Sequence, residues 1–211
     1  MTILALEFSS EQRSVALARN GIVLSEAVET SGGRATNAFG LIEQVMTAAK
    51  TSRDAIEAVA VGLGPGSYTG IRAAIALAQG WQLARGVKLL GVNSAECLAA
   101  QAQAEKIFGR VNVVIDAQRG EFYLAAWQIS DGRCEAVLPL KIVAAGEIER
   151  LKNEGAICLG PDGGKVLFPR AAMVATLAAE RTDFVAGEKL EPVYLRETAF
   201  VKAPPSKFIA G

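Results

Sequence analysis

The chain has 211 residues, 51% hydrophobic and 21% charged, with 22 basic and 22 acidic side chains and no histidine. That length can bury a core well above marginal size and suits one domain or two small lobes. The absence of histidine excludes Ser-His-Asp and Cys-His nucleophiles, HExxH zinc sites and other His-ligated metals. The balanced charge argues against a protein that grips nucleic acid by itself, which needs a basic excess.

Cys97, Cys134 and Cys158 are widely spaced with no CxxC pair, and read as buried free thiols of a reducing cytosol. Met1 to Glu7 carries an acid inside its apolar run and no basic start, so it does not read as a signal peptide. No apolar run approaches the roughly twenty residues of a membrane span. The expectation is a cytoplasmic protein with no membrane contact.

In chain order, Thr2 to Phe8 reads as a buried strand, and Ser14–Arg19 and Ile22–Glu29 as two more, joined at Asn20-Gly21. Asn-Gly between apolar runs is a strong hairpin signal because both positions tolerate positive φ. Ser31-Gly32-Gly33 breaks the pattern, and a helix follows over 37–50. Ala58 to Leu63 is a strand, a helix runs from about Gly70 to Arg85, and Gly86 suits its end. Leu89–Val92 is a strand, and Asn93 or Ser94 caps a helix reaching about Phe108. Near Gly109 the pattern restarts: strands over 111–115, 122–128 and 135–143, a helix over 147–153, a strand over 156–159 and an Ala-rich helix over 171–181. The second half echoes the first, which predicts a duplicated α/β fold with mixed sheets and two lobes, 1–108 and a smaller 109–211. The end, 203–211 with Pro204-Pro205, reads as extended or frayed.

The most informative stretch is Gly62-Leu63-Gly64-Pro65-Gly66-Ser67-Tyr68-Thr69-Gly70, between a strand and a helix. Amides at a helix N-terminus can hold an anion there. It is neither a P-loop nor a Rossmann fingerprint, so a tight turn with close backbone packing is the simpler reading. Ser67 or Thr69 can cap the helix in either case. Gly66, Gly70, Ala74 and Ala78 recur every four residues, a small-residue stripe that suits close approach by this chain's own sheet or by another helix. Ile71, Ile75 and Leu83 are expected on the adjacent core face. Arg72 sits near the helix start, where its charge calls for an anionic partner. Glu7 ends the first strand, either solvated or facing a cleft. Asp116, Arg119 and Glu121 mark the equivalent turn of the second half.

The blocks Ile3–Ser9, Ala60–Arg72, Gly91–Ser94, Ile115–Tyr123 and Pro192–Arg196 resemble, in order, those of the TsaB (YeaZ) family, once labelled glycoprotease-like. The resemblance implies an ASKHA (actin-like, Hsp70-like ATPase) fold of two RNase H-like lobes. It also implies a non-catalytic subunit of tRNA threonylcarbamoyladenosine synthesis that pairs with the catalytic relative TsaD and is joined by the ATPase TsaE. Self-dimers are known in such a family, and tRNA would be met only through the complex. The family's helical interface would fall on Gly70, Arg72, Ala74 and Ala78, with Asn37 nearby. The resemblance leaves room for ATP or ADP at the junction with TsaD, but none bound alone and no metal. Glycine-loop residues Gly64, Pro65, Gly66, Ser67 and Thr69, with Glu7, would be the nucleotide contacts. Two departures stand out: Glu7-Phe8-Ser9 where the family has Asp-Thr-Ser, and Arg34-Ala35-Thr36-Asn37 where many relatives have Arg-x-His-Ser. The competing readings are an autonomous nucleotide-dependent enzyme of the same fold and, disfavoured by the missing histidines, a metalloprotease.

Overall fold

A computed structural model describes residues 1–30 and 37–195. The Ser31-Gly32-Gly33 break, Arg34 to Thr36, Arg196 of the last block and the 203–211 end lie outside the described residues. The first half forms β1 (Thr2–Glu7), β2 (Gln12–Arg19), β3 (Ile22–Thr30), α1 (Ala38–Ala48), β4 (Ala58–Gly62), α2 (Tyr68–Arg85) and β5 (Lys88–Val92). After α3 (Ser94–Ala104), the second half forms β6 (Gly109–Asp116), β7 (Glu121–Ser130), β8 (Arg133–Ala144), α4 (Ala145–Asn153), β9 (Ile157–Gly160), β10 (Lys165–Val166) and α5 (Ala171–Ala179).

The two sheets run β3-β2-β1-β4-β5 and β8-β7-β6-β9-β10, one topology used twice. In each, a meander of three antiparallel strands continues into parallel strands on the far side of the first. This is the duplicated α/β architecture with mixed sheets that the repeated pattern predicts. The β2–β3 turn places Asn20 and Gly21 at φ 52° and 79°, as a two-residue hairpin requires.

Strand alternation sorts the first sheet into two unlike faces. Leu4, Leu6, Val15, Leu17, Val59 and Val61 meet α1 and α2 on one side. The other side shows Ala5, Ala16, Ala18, Ala58 and Ala60, and the alanine-rich α5 lies close upon it through Ala171, Val174, Ala175 and Ala178. The helix that covers this face thus comes from the end of the chain. In return α3 leaves the first half to cover the second sheet, with Ala95, Leu98, Ala99 and Ala102 against Val111, Val113 and Trp127. On the opposite face of that sheet, Ile148 of α4 packs against Val114, Leu124 and Cys158.

The residue before α5, Arg170, offers its helix no side-chain cap. Glu26 from β3 takes that part, accepting from Ala172 N at 3.0 Å and pairing with the Arg170 guanidinium, while Ser14 Oγ accepts from Ala171 N at 2.8 Å. A carboxylate at a helix N-terminus is favourable on charge as well as hydrogen bonding. Cys97 and Cys158 are buried, Cys134 is half-buried, and burial pushes all three thiols up.

Candidate functional site

The glycine loop spans the short gap between β4 and α2, at the parallel-strand ends of the first sheet. Ser67 caps α2, its Oγ accepting from Gly70 N at 3.4 Å, and its own N–H donates to Ser9 O at 2.6 Å. Gly66 lies at φ +146°, where a Cβ would stand 2.1 Å from Ser9 O, so a side chain there would part the loop from β1. Gly64 hydrogen-bonds Ser94 in both directions: its O accepts from Ser94 N at 2.7 Å and its N donates to Ser94 Oγ at 3.1 Å. Pro65 between them is buried. The loop is therefore stitched to β1 at one end and to the start of α3 at the other.

Glu7 lies under this loop and is 0% exposed. Its Oε1 accepts from Ser9 N at 2.7 Å and its Oε2 from Ser94 Oγ at 2.8 Å. Burial pushes its carboxyl up, opposed by the Ser9 and Ser94 hydrogen bonds and by the charge of Arg13. Arg13 of β2 is itself buried, donates to Phe8 O at 2.5 Å and to Ser67 Oγ at 3.2 Å, and leaves its Nε without a partner. Glu7 thus faces the protein interior and not the cleft.

The cleft between the two sheets has a volume of about 630 Å³. Ser9, Ser10, Ser67 and Thr69 line it from the first half, Asp116, Gln118 and Asp162 from the second. Asp162 Oδ2 accepts from Asp116 N at 2.8 Å. Burial, together with the charges of Asp116 and Glu11, pushes the Asp162 carboxyl up against the pull of that hydrogen bond. None of the described residues lining the cleft is basic. The amides of Ser9, Ser67 and Gly70 already donate to Glu7, Ser9 and Ser67. A polyphosphate here would meet the carboxylates of Asp116 and Asp162 and no basic side chain among the described lining residues.

On α2 the structure corrects the interface expected from sequence. Gly70 faces inward, where a Cβ would sit 2.0 Å from Phe8 O, and Ala74 and Ala78 are 0% exposed within the first core. The small-residue stripe lets α2 lie close on its own sheet, so Gly70, Ala74 and Ala78 are covered by this chain itself. Ile71 and Ile75 join that core as expected, but Leu83 is 91% exposed. Arg72 is exposed, with its guanidinium 5.3 Å from the Tyr68 ring centre and its Nη1 donating to Tyr68 Oη at 3.2 Å. Tyr68 also meets Tyr194, ring centres 5.4 Å apart. Asn37 caps α1, accepting from Gly40 N at 3.2 Å.

The outward side of the helix pair carries an apolar groove that sequence reasoning missed. It has a volume of about 400 Å³ and is lined by Phe39, Ile42, Gly80, Trp81 and Ala84, with Arg53 and Arg85 at its edge. Phe39, which helical spacing groups with the core, is 74% exposed. The signal was present as excess: α1 and α2 carry more apolar side chains than one sheet face can cover.

Fold and site together define an α/β protein of two like mixed sheets whose glycine loop is closed on itself and whose first helix pair carries an apolar groove outside. The family described as TsaD, tRNA N6-adenosine threonylcarbamoyltransferase, matches residues 6–194. The Escherichia coli K12 tRNA threonylcarbamoyladenosine biosynthesis protein TsaB is 32% identical over 98% of this chain and 100% of its own length. Its Bacillus subtilis counterpart is 28% identical over 73% of this chain and 67% of its own. A solved structure of YeaZ from Pseudomonas aeruginosa superimposes with a TM-score of 0.79 at 28% identity, covering 92% of this chain and 99% of that one. The chain belongs to the TsaB (YeaZ) family.

Proposed function

We propose that this chain serves tRNA threonylcarbamoyladenosine biosynthesis as a non-catalytic subunit that holds the catalytic relative TsaD against the outer face of α1 and α2. The observation that carries this reading is the apolar groove at Phe39, Gly80 and Trp81 beside a Leu83 that is 91% exposed. Exposed large apolar side chains gathered around a groove mark a protein contact more than a solvent-facing surface. The guanidiniums at the groove's edge already pair within the chain, Arg53 with Glu43 and Arg85 with Asp54, so the apolar lining carries the contact. TsaE would join that pair, tRNA would be met through the complex, and ATP or ADP at the junction would draw its phosphate contacts from the partner. A self-dimer would use the same helix pair and compete with TsaD for it.

The test is reconstituted modification: TsaD, TsaE, threonylcarbamoyl-adenylate and tRNA, with and without this chain. Modification that requires the chain supports the subunit role, and equal modification without it refutes the role. For the surface, Leu83→Arg should abolish co-elution with TsaD while shifting stability by no more than about 0.5 kcal/mol. Ala74→Arg, by contrast, buries an unpaired charge and should cost about 3–5 kcal/mol by thermal or denaturant unfolding. Co-elution that survives Leu83→Arg sinks the assignment of the face.

A further inference from the structure

Two of the glycine loop's anchors, Ser67 and Gly64, begin hydrogen-bond routes that end on one side chain. From Ser67 N the route runs to Ser9 O, and from Ser9 N to Glu7 Oε1. From Gly64 N it runs to Ser94 Oγ, and from Ser94 Oγ to Glu7 Oε2. The Ser94 hydroxyl accepts from Gly64, so its one proton goes to Glu7, and both Glu7 oxygens are acceptors. The surrounding pocket is closed, and its far wall is Gly62, where a Cβ would stand 1.9 Å from Oε2. Arg13 supplies the nearest positive charge.

We propose that this pocket is a site built for a single small carboxyl group, and that Glu7 is its permanent, covalently tethered occupant, positioning the glycine loop and the start of α2. The pocket supplies three converging donors, the N–H and hydroxyl of Ser9 and the hydroxyl of Ser94, with a cation nearby and space for one planar group. Such a site recognises acetate or formate when the tether is removed. A tethered carboxylate avoids the entropy lost by a free ligand, so the wild-type pocket gains nothing from added acid. Glu7→Gln keeps the shape but puts an N–H donor where one of the two acceptor oxygens stood, leaving the Ser94 proton or a Ser9 donor without its acceptor.

The experiment uses the full chain. Glu7→Ala should lower the melting temperature by about 6 °C or more, and sodium acetate in place of sodium chloride at equal ionic strength should return about 3 °C or more. Acetate should leave wild type unchanged, and pivalate, too bulky for a pocket walled by Gly62, should not substitute for it. Amide hydrogen exchange over residues 63–71 should quicken in Glu7→Ala and slow again with acetate, a restoration that a vacant, merely structural cavity would not give. Should Glu7→Ala not fold in chloride, the folded yield on refolding into acetate reads the same effect. Equal melting of the variant in acetate and chloride, or equal gains with pivalate, overturns the proposal. None of these readouts depends on TsaD, so they stand or fall apart from the subunit assignment.

Discussion

Each sheet ends its central strand on an acid, Glu7 for β1 and Asp116 for β6, and each acid accepts from the backbone N–H two residues on. There the likeness ends. Glu7 is fully buried, whereas Asp116 lines the cleft. Continuing the parallel register sets Gly62 opposite Glu7 and Asp162 opposite Asp116. The glycine leaves a space into which the longer acid turns, and a Cβ there would meet its Oε2 at 1.9 Å. Asp162 fills the equivalent space with its own carboxyl, which takes Asp116 N and leaves the Asp116 carboxyl directed to the cleft and to Gln118. One topology thus yields a sealed corner and an open one, and the residue across the ladder decides which.

That difference can be broken most forcefully by giving the first corner the second corner's residue. Gly62→Asp sets two carboxyls in one closed pocket and should cost more than about 3 kcal/mol, measured by denaturant unfolding. Stability within 1 kcal/mol of wild type, by about the scale of an ordinary substitution, would mean that Glu7 simply swings out. The converse change, Asp162→Gly, removes only the acceptor for Asp116 N at a half-buried site and should cost about 1 kcal/mol.

The smallest effect is in pH dependence. Glu7 holds its proton more tightly when folded than at its ordinary value of 4.5, because burial disfavours the charge. The folded chain therefore binds more protons than the unfolded chain between the two values. That component of stability is fully present below 4.5 and is lost as pH rises through the raised value. Arg13 on β2 and Cys97 on α3 are the other titratable groups coupled to it. Glu7→Gln should remove this component, so the difference between wild-type and variant stability should change across that interval. A constant difference from pH 4 to 8 would show that the Glu7 charge is not desolvated, on a linkage scale of about 1.4 kcal/mol per pH unit.

Much of this was legible in the linear pattern because it depends on local chemistry. The Asn20-Gly21 turn, the meander, the glycine loop between strand and helix, the Ser67 cap and the repeat near Gly109 all follow from period, cap and turn residues. The family blocks from Ile3 to Arg196 rest on the same short-range features. Periodicity could not say which of two apolar stripes on α2 met the sheet. Ala74 and Ala78 were read as contact surface and Leu83 as core, and the structure reverses both, because the sheet beneath α2 sets which stripe it covers.

The sequence by itself determined the α/β class, the duplication and the family, since these are written in residues near one another along the chain. Tertiary structure decided the direction of Glu7, its meeting with Ser94, the capping of α5 by Glu26 and the exchange of α3 and α5 between sheets. Each joins residues far apart in the chain whose side chains carry no periodic mark. Their partners are fixed by which strand lies opposite and how much space a glycine leaves, and both exist only once the sheets have formed.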